Sequence, residues 1–374
     1  MSIADLFNLN TPARYLAKRQ HKHPPIYQPT PANWQGLFGV ALAMSTPELQ
    51  AMVARGEIVS GEVGELSPST YVTRHGRGYA IEMHSGEMRL IYSAARAIAA
   101  SDDGRFRDAE ASSLSAESVE AKIAELFGNF DVHGVATSQA FPATAAQRAW
   151  ADAIACNAEC FLLLHELAHI HNGDLTRPPG DEAEVRRREA AADATACGWL
   201  VDYVLAPKPG GPQRQMLYAG AEFGLRVRMA MEAFGLKFNA THPSAGDRVA
   251  AMRERLRAAA GSRTFYAIAN TSLAFDQMWR AVERIRQGLE PKYEPGLDDV
   301  LASLRTLTVE FLRANDEGVR EAILDTAKRD FRDLPKELRA AVRRQAGEVF
   351  EPGVAEYEFF LALLSASDPE GSPA

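Results

Sequence analysis

Residues 142–174 read PATAAQRAWADAIACNAECFLLLHELAHIHNGD. Between Pro142 and His171 there is no further Pro and no Gly, so nothing in the stretch interrupts helical hydrogen bonding. Thr144 with Gln147 forms a capping-box pattern near the start, and Asn172-Gly173 supplies a left-handed stop. Ala155, Ala158, Phe161, Leu162 and Leu163 make a wide apolar face, the signature of a core helix. At its end stand His165, Glu166 and His169. Positions i and i+4 share one helical face, so the two imidazoles can meet one metal ion with Glu166 beside them. Buried imidazoles and a carboxylate are costly without partners, and a metal is the simplest partner for all three. Such an ion leaves Glu166 to act on water as a general base.

A catalytic zinc ion takes three protein ligands and keeps a position open, so a third ligand is needed from another element. Segment 182–203, EAEVRRREAAADATACGWLVDY, reads as a second helix, with Glu189 and Asp193 again at i and i+4. Glu189 is assigned as the third ligand. Asp193 is assigned as the acceptor for the free N–H of a ligand histidine, which fixes its tautomer. The small residues Ala190 to Ala192, Ala194 and Ala196 suit close helix packing better than a solvated acidic face. The longer pattern with a third histidine needs Gly at 172 and His at 175, where this chain has Asn172 and Leu175. His171 lies on a different helical face and reads as a rim residue. Cys156, Cys160 and Cys197 contain no C-x-x-C pair and read as small buried groups.

Residues 241–248, THPSAGDR, add a third element. The order HELAH, EAAAD, then THP with an Arg six residues after its His resembles the gluzincin metallopeptidases, especially the HtpX-like and CAAX-prenyl-protease group. The soluble form HELAHIHNGD with E-x-x-x-D is also similar to the Lit phage-exclusion peptidase family. The resemblance covers roughly residues 142–260. It implies a zinc-dependent peptidase acting on a protein or peptide substrate, in intracellular regulatory proteolysis. It also implies that His242 or Arg248 stabilises the oxyanion or binds the substrate backbone, and that an edge strand pairs with extended substrate. Residues 79–83 or 131–137 could supply that strand. The residues alone allow a plainer reading of 241–248: Thr241 as N-cap, Pro243 in the first turn and Arg248 on the helix surface. Two other functions stay open: a non-catalytic zinc scaffold that binds a partner, or a metallohydrolase acting on something other than a peptide. Glu166 counts against the scaffold, because a structural site needs no base.

The chain has 374 residues, 46% apolar and 24% charged, ordinary values for a globular protein of two or three domains. A net charge of −8 argues against non-specific nucleic-acid binding. No run approaches the roughly twenty uninterrupted apolar residues that cross a bilayer, and the first twenty residues hold no apolar signal core. Three cysteines, an odd number, do not make an extracellular disulfide framework. A cytoplasmic enzyme without membrane insertion is expected.

The fold expected is α+β and predominantly helical. Residues 1–50 form an irregular and helical N-terminal segment, with Pro24, Pro25, Pro29 and Pro31 in a connector. Residues 51–140 form a small α+β region with a β meander over 70–93, and 141–260 the metallopeptidase core. Residues 261–374 form a C-terminal helical domain ending in a flexible tail. Helices are expected there near 273–288, 297–314, 317–329, 335–348 and 354–364. His21, His23, His75, His84 and His133 read as surface residues.

Overall fold

The computed structural model describes residues 11–25, 34–67, 69–100, 116–133, 143–178, 180–207, 211–233, 242–273, isolated positions between 276 and 287, 297–313, 317–332, 334–350 and 355–366. Contacts divide the chain into two units, Met1–Arg255 with Ala281–Pro291, and Leu256–Arg280 with Lys292–Ala374. The architecture is predominantly helical α+β with one small three-stranded sheet.

The first unit opens with α1 (Pro12–Lys22), where Thr11 accepts from the Arg14 N–H and Pro12 occupies the first turn. Helices α2 (Trp34–Met44) and α3 (Pro47–Ala54) lead into strands β1 (Ile58–Val63), β2 (Thr70–His75) and β3 (Gly78–His84). The sheet order is β1-β3-β2. β3 pairs parallel to β1, with Ile58 opposite Tyr79, and antiparallel to β2, with Thr70 opposite Met83. β3 is therefore central and buried throughout, so residues 79–83 present no free edge to a substrate. Of the other candidate segment, residues 131–133 end helix α5 and 134–137 lie outside the described residues. The meander expected over 70–93 is a hairpin only as far as His84, because Ser85–Ala99 forms helix α4. Its face of Met88, Leu90, Ile91, Ala94, Ala95 and Ile98 is buried, a 3.6-residue period that overrides the alternation seen upstream. His84 is a further correction: only 3% exposed, it keeps its Nδ1 at 2.6 Å from Ser67 Oγ and 2.8 Å from Ser69 Oγ.

After α5 (Ala116–His133) comes the long helix α6 (Ala145–His171), then a 3-10 turn at Asp174–Thr176, α7 (Glu182–Leu205), α8 (Gly211–Ala233) and α9 (Ala245–Leu273). The capping box of α6 forms as the sequence expects: Thr144 Oγ1 accepts from the Gln147 N–H at 3.1 Å, and Gln147 Oε1 accepts from the Thr144 N–H at 2.8 Å. Gly173, at φ 72° and ψ 21°, makes the left-handed exit. α6 is long and apolar enough, by length and composition, to cross a bilayer, which the sequence reading did not expect; 83% of its most apolar window is buried inside the fold. It packs on α8, α4, α7 and α2. Gly220 of α8 permits the close approach to α6, since a Cβ there would lie 2.3 Å from Asn157 Cβ and 2.8 Å from the Ile154 carbonyl oxygen. Burying side chains such as Phe161, Leu163 and Leu164 contributes roughly 1.5–3 kcal/mol each, and that burial fixes the end of α6 where the histidines stand.

The second unit holds α9 beyond Arg255, then α10 (Leu297–Arg313), α11 (Glu317–Arg332), α12 (Lys336–Val349) and α13 (Ala355–Ala366). Four of the expected C-terminal helices thus form close to their expected limits; the fifth, near 273–288, lies mostly outside the described residues. Leu301, Leu304, Phe331, Val342, Phe360 and Leu364 form the buried centre, where the sequence shows the i, i+3, i+4 spacing. Asp298 accepts from Tyr266 Oη at 2.6 Å and from Arg257 Nη2 at 3.2 Å.

Candidate metal centre

His165, Glu166 and His169 occupy the last buried turns of α6, with exposures of only 4, 6 and 8%. His165 Nε2 lies 3.1 Å from His169 Nε2, and Glu189 Oε2 of α7 lies 3.2 Å from the first and 3.3 Å from the second. A tetrahedral ion with bonds of about 2.0–2.1 Å sets its ligand atoms about 3.3 Å apart, so the triangle has the dimensions that zinc requires. Two Nε2 atoms facing each other can share at most one N–H, so as a hydrogen-bonded cluster the arrangement is poor, and as a ligand set it is good. The fit is to a divalent cation with nitrogen and oxygen donors.

His242 approaches from the segment before α9, with its Nε2 2.9 Å from Glu189 Oε2. The ligand atoms of His165, Glu189 and His242 all lie within 4.8 Å of one another, so His242 belongs to an alternative three-residue group. The set with His169 is tighter, its three separations spanning only 3.1–3.3 Å, and His242 then stands beside it against Glu189. Thr241 lies outside the described residues, so its reading as an N-cap does not bear on the geometry.

The outer nitrogens of the two α6 histidines are both engaged. His165 Nδ1 stands 2.9 Å from Asp193 Oδ1, the contact expected for Asp193. His169 Nδ1 stands 2.9 Å from Asp174 Oδ2, in the 3-10 turn after α6. Each carboxylate accepts an Nδ1–H and turns Nε2 towards the centre. Asp174 was missed in the sequence because it looks like the polar end of a turn. Its only signal was position, one residue past the left-handed Gly173 that folds the chain back over His169. Arg248 is buried, not on the helix surface, and its Nη2 donates to Asp193 Oδ1 at 2.6 Å. The structure brings it to the centre through Asp193.

The electrostatics follow from burial and crowding. Burial alone would push Asp193 up, but Arg248 and His165 outweigh it and hold the carboxyl well below the usual range. Burial likewise opposes ionisation of Glu189, and the three imidazoles around its Oε2 more than reverse that. Burial lowers His169, yet Glu189, Glu166 and Asp174 raise it to about 9. The centre therefore attracts positive charge, the condition a divalent ion meets. Glu166 is shifted the other way: burial pushes its carboxyl up, only partly offset by the neighbouring histidines.

One more residue escaped the sequence reading. Arg228 of α8 donates to Glu87 Oε1 at 2.6 Å, while Thr70 Oγ1 donates to Glu87 Oε2 at 2.6 Å. Its charge acts on both Glu166 and Asp193 from within the fold. No local motif marks it, because its partner is 141 residues away.

Residues 129–269 match the family described as Peptidase U49. No curated protein and no solved structure matches the chain. The matched segment includes α6 to α8 and every residue of the cluster from His165 to Arg248, so the similarity to a peptidase falls on the segment that holds this cluster. It supports a peptidase with a protein substrate.

Proposed function

We propose that this chain is a zinc-dependent endopeptidase of the gluzincin kind, with His165, His169 and Glu189 as the metal ligands. The observation that carries the reading is the triangle of their ligand atoms, 3.1–3.3 Å on a side, with buried Glu166 next in sequence to a ligand. When bound, zinc would lower the pKa of a coordinated water to about 7 and polarise a scissile carbonyl. Asp193 and Asp174 orient the two imidazoles, and Arg248 anchors Asp193. Glu166 takes the proton from the attacking water and delivers it to the leaving amine. His242, whose Nε2 lies 2.9 Å from Glu189 Oε2, would donate its N–H to the oxygen that gains charge as the carbonyl is attacked.

The substrate we infer is an intracellular protein, and the setting a soluble, cytoplasmic and regulatory one. Cys156, Cys160 and Cys197 are all free thiols, which supports a reducing compartment.

Metal content tests the ligand set. Purified protein is expected to carry close to one zinc per chain, and His165→Ala or Glu189→Ala to remove most of it, since each takes one of three ligands. Full zinc after both substitutions would move the site elsewhere.

A further inference from the structure

Against the Asp193–Arg248 pair the first unit holds a cavity of about 370 Å³. Its wall is mostly apolar, with Phe161, Ala194, Leu225, Pro243 and Ala251 among the lining residues. The volume is at the small end of the range for small-molecule sites, which are typically concave and apolar with a few placed polar groups.

Arg255 is the placed polar group. It lines the cavity from α9, is exposed, and among the described residues no ion-pair or hydrogen-bond partner engages its guanidinium. Its position is built into the fold by Gly198 of α7. A Cβ at 198 would lie 2.6 Å from Arg255 Nη2 and 3.2 Å from its Cζ, so the guanidinium lies against the helix at this glycine and would have to swing aside for a side chain there. A mid-helix glycine costs roughly 1 kcal/mol relative to alanine, and here that cost coincides with a seat for an unpaired cation. The opposite charge in the wall, Asp247, accepts from Ser244 Oγ at 2.7 Å and lies about 12 Å along α9 from Arg255. Asp193 is already matched by Arg248.

We propose that this cavity binds an apolar carboxylic acid, its hydrocarbon body against Phe161, Leu225 and Ala251 and its carboxylate on Arg255. The cavity shares Asp193 and Arg248 with the metal centre but none of its three ligands, and the proposal does not depend on the peptidase reading. Two sources share this chemistry: a free aliphatic acid, and the C-terminal carboxylate of a peptide that ends in an apolar residue.

The test is calorimetric titration of the full chain with decanoate and decanol, repeated on Arg255→Gln, Gly198→Ala and Ala194→Trp. Decanoate should bind the unaltered chain about tenfold or more tightly than decanol, because a charge-assisted pair is lost with the alcohol. Arg255→Gln, at an exposed position that leaves the fold intact, should weaken decanoate by about tenfold and leave decanol unchanged. Gly198→Ala should weaken decanoate in the same direction by displacing the guanidinium, and Ala194→Trp should abolish both by filling the cavity. Competition by N-acetylphenylalanine, but not by its amide, would assign the site to peptide C-termini; its failure to compete with bound decanoate would assign it to free aliphatic acids. Equal binding of decanoate and decanol, unchanged decanoate binding in Arg255→Gln, or no binding to the unaltered chain would overturn the proposal.

Discussion

Asp174 Oδ2 accepts a hydrogen bond from His169 Nδ1 at 2.9 Å, so both helix α6 histidines, not one, are oriented by a carboxylate. Asp174→Asn keeps the shape but replaces the anionic acceptor by an amide. Metal affinity should fall roughly 10- to 100-fold while the helical signal is retained, and Asp193→Asn should do the same through His165. Competition with a chromophoric chelator reads both. Unchanged affinity in Asp174→Asn would make that contact incidental.

Arg248 has a structural share that can be separated from chemistry. Its side chain is 4% exposed and pairs with Asp193 at 2.6 Å. Removing one member of a buried pair leaves an uncompensated charge and costs about 3–5 kcal/mol. Arg248→Ala should therefore lower the denaturant midpoint even in metal-free protein. A drop below about 1 kcal/mol would show the pair to be more hydrated than its burial implies.

Gly220 sets two effects against each other. Alanine is the better helix former by about 1 kcal/mol. A Cβ at 220 would nevertheless meet Asn157 Cβ at 2.3 Å and the Ile154 carbonyl oxygen at 2.8 Å, neither of which can swing away. Overpacking should win, and Gly220→Ala should destabilise by about 1–3 kcal/mol in thermal or urea unfolding. Stabilisation would mean that α6 and α8 can separate without loss.

Much of this site is legible in the sequence, for reasons of distance along the chain. His165, Glu166 and His169 share one helix, and Glu189 and Asp193 share the next, so helical periodicity alone placed them. Thr144 and Gln147 act within one turn, and their cap formed as read. The sheet was harder. β1, IVSGEV, carries Gly61 and buried Glu62, which hide its alternation, and its parallel partner β3 lies twenty residues on. His84 was misread because its two serine partners arrive from the loop before β2, at no helical or strand spacing. Arg228 and Glu87 pair across 141 residues, and only the packing of α8 beside α4 brings them together.

Glu159 yields a prediction in pH. It is 1% exposed, and among the described residues neither carboxyl oxygen has a hydrogen-bond partner. Burial, then the charges of Glu62 and Glu87, push its pKa well above the usual value of 4.5. The unfolded chain thus releases this proton at a lower pH than the folded chain does. Its contribution is fully present below about pH 4.5 and is lost as pH rises towards the folded pKa, at up to about 1.4 kcal/mol per pH unit. Glu159→Gln removes that slope, so the variant should gain stability over wild type as pH is raised from 5 to 8. A difference that stays constant across this range would show that Glu159 is ionised in the fold.

In the proposed reaction Glu166 removes a proton from water beside a metal it does not bind. Glu166→Gln keeps the size and burial of the side chain and removes the base. The decisive measurement is the set of new protein N-termini formed when wild type or Glu166→Gln is expressed in the native host, with zinc content measured on the same two proteins. Equal zinc in both and cleavage products in wild type alone are expected. Identical products from both proteins would contradict it, and would remove Glu166 from the chemistry.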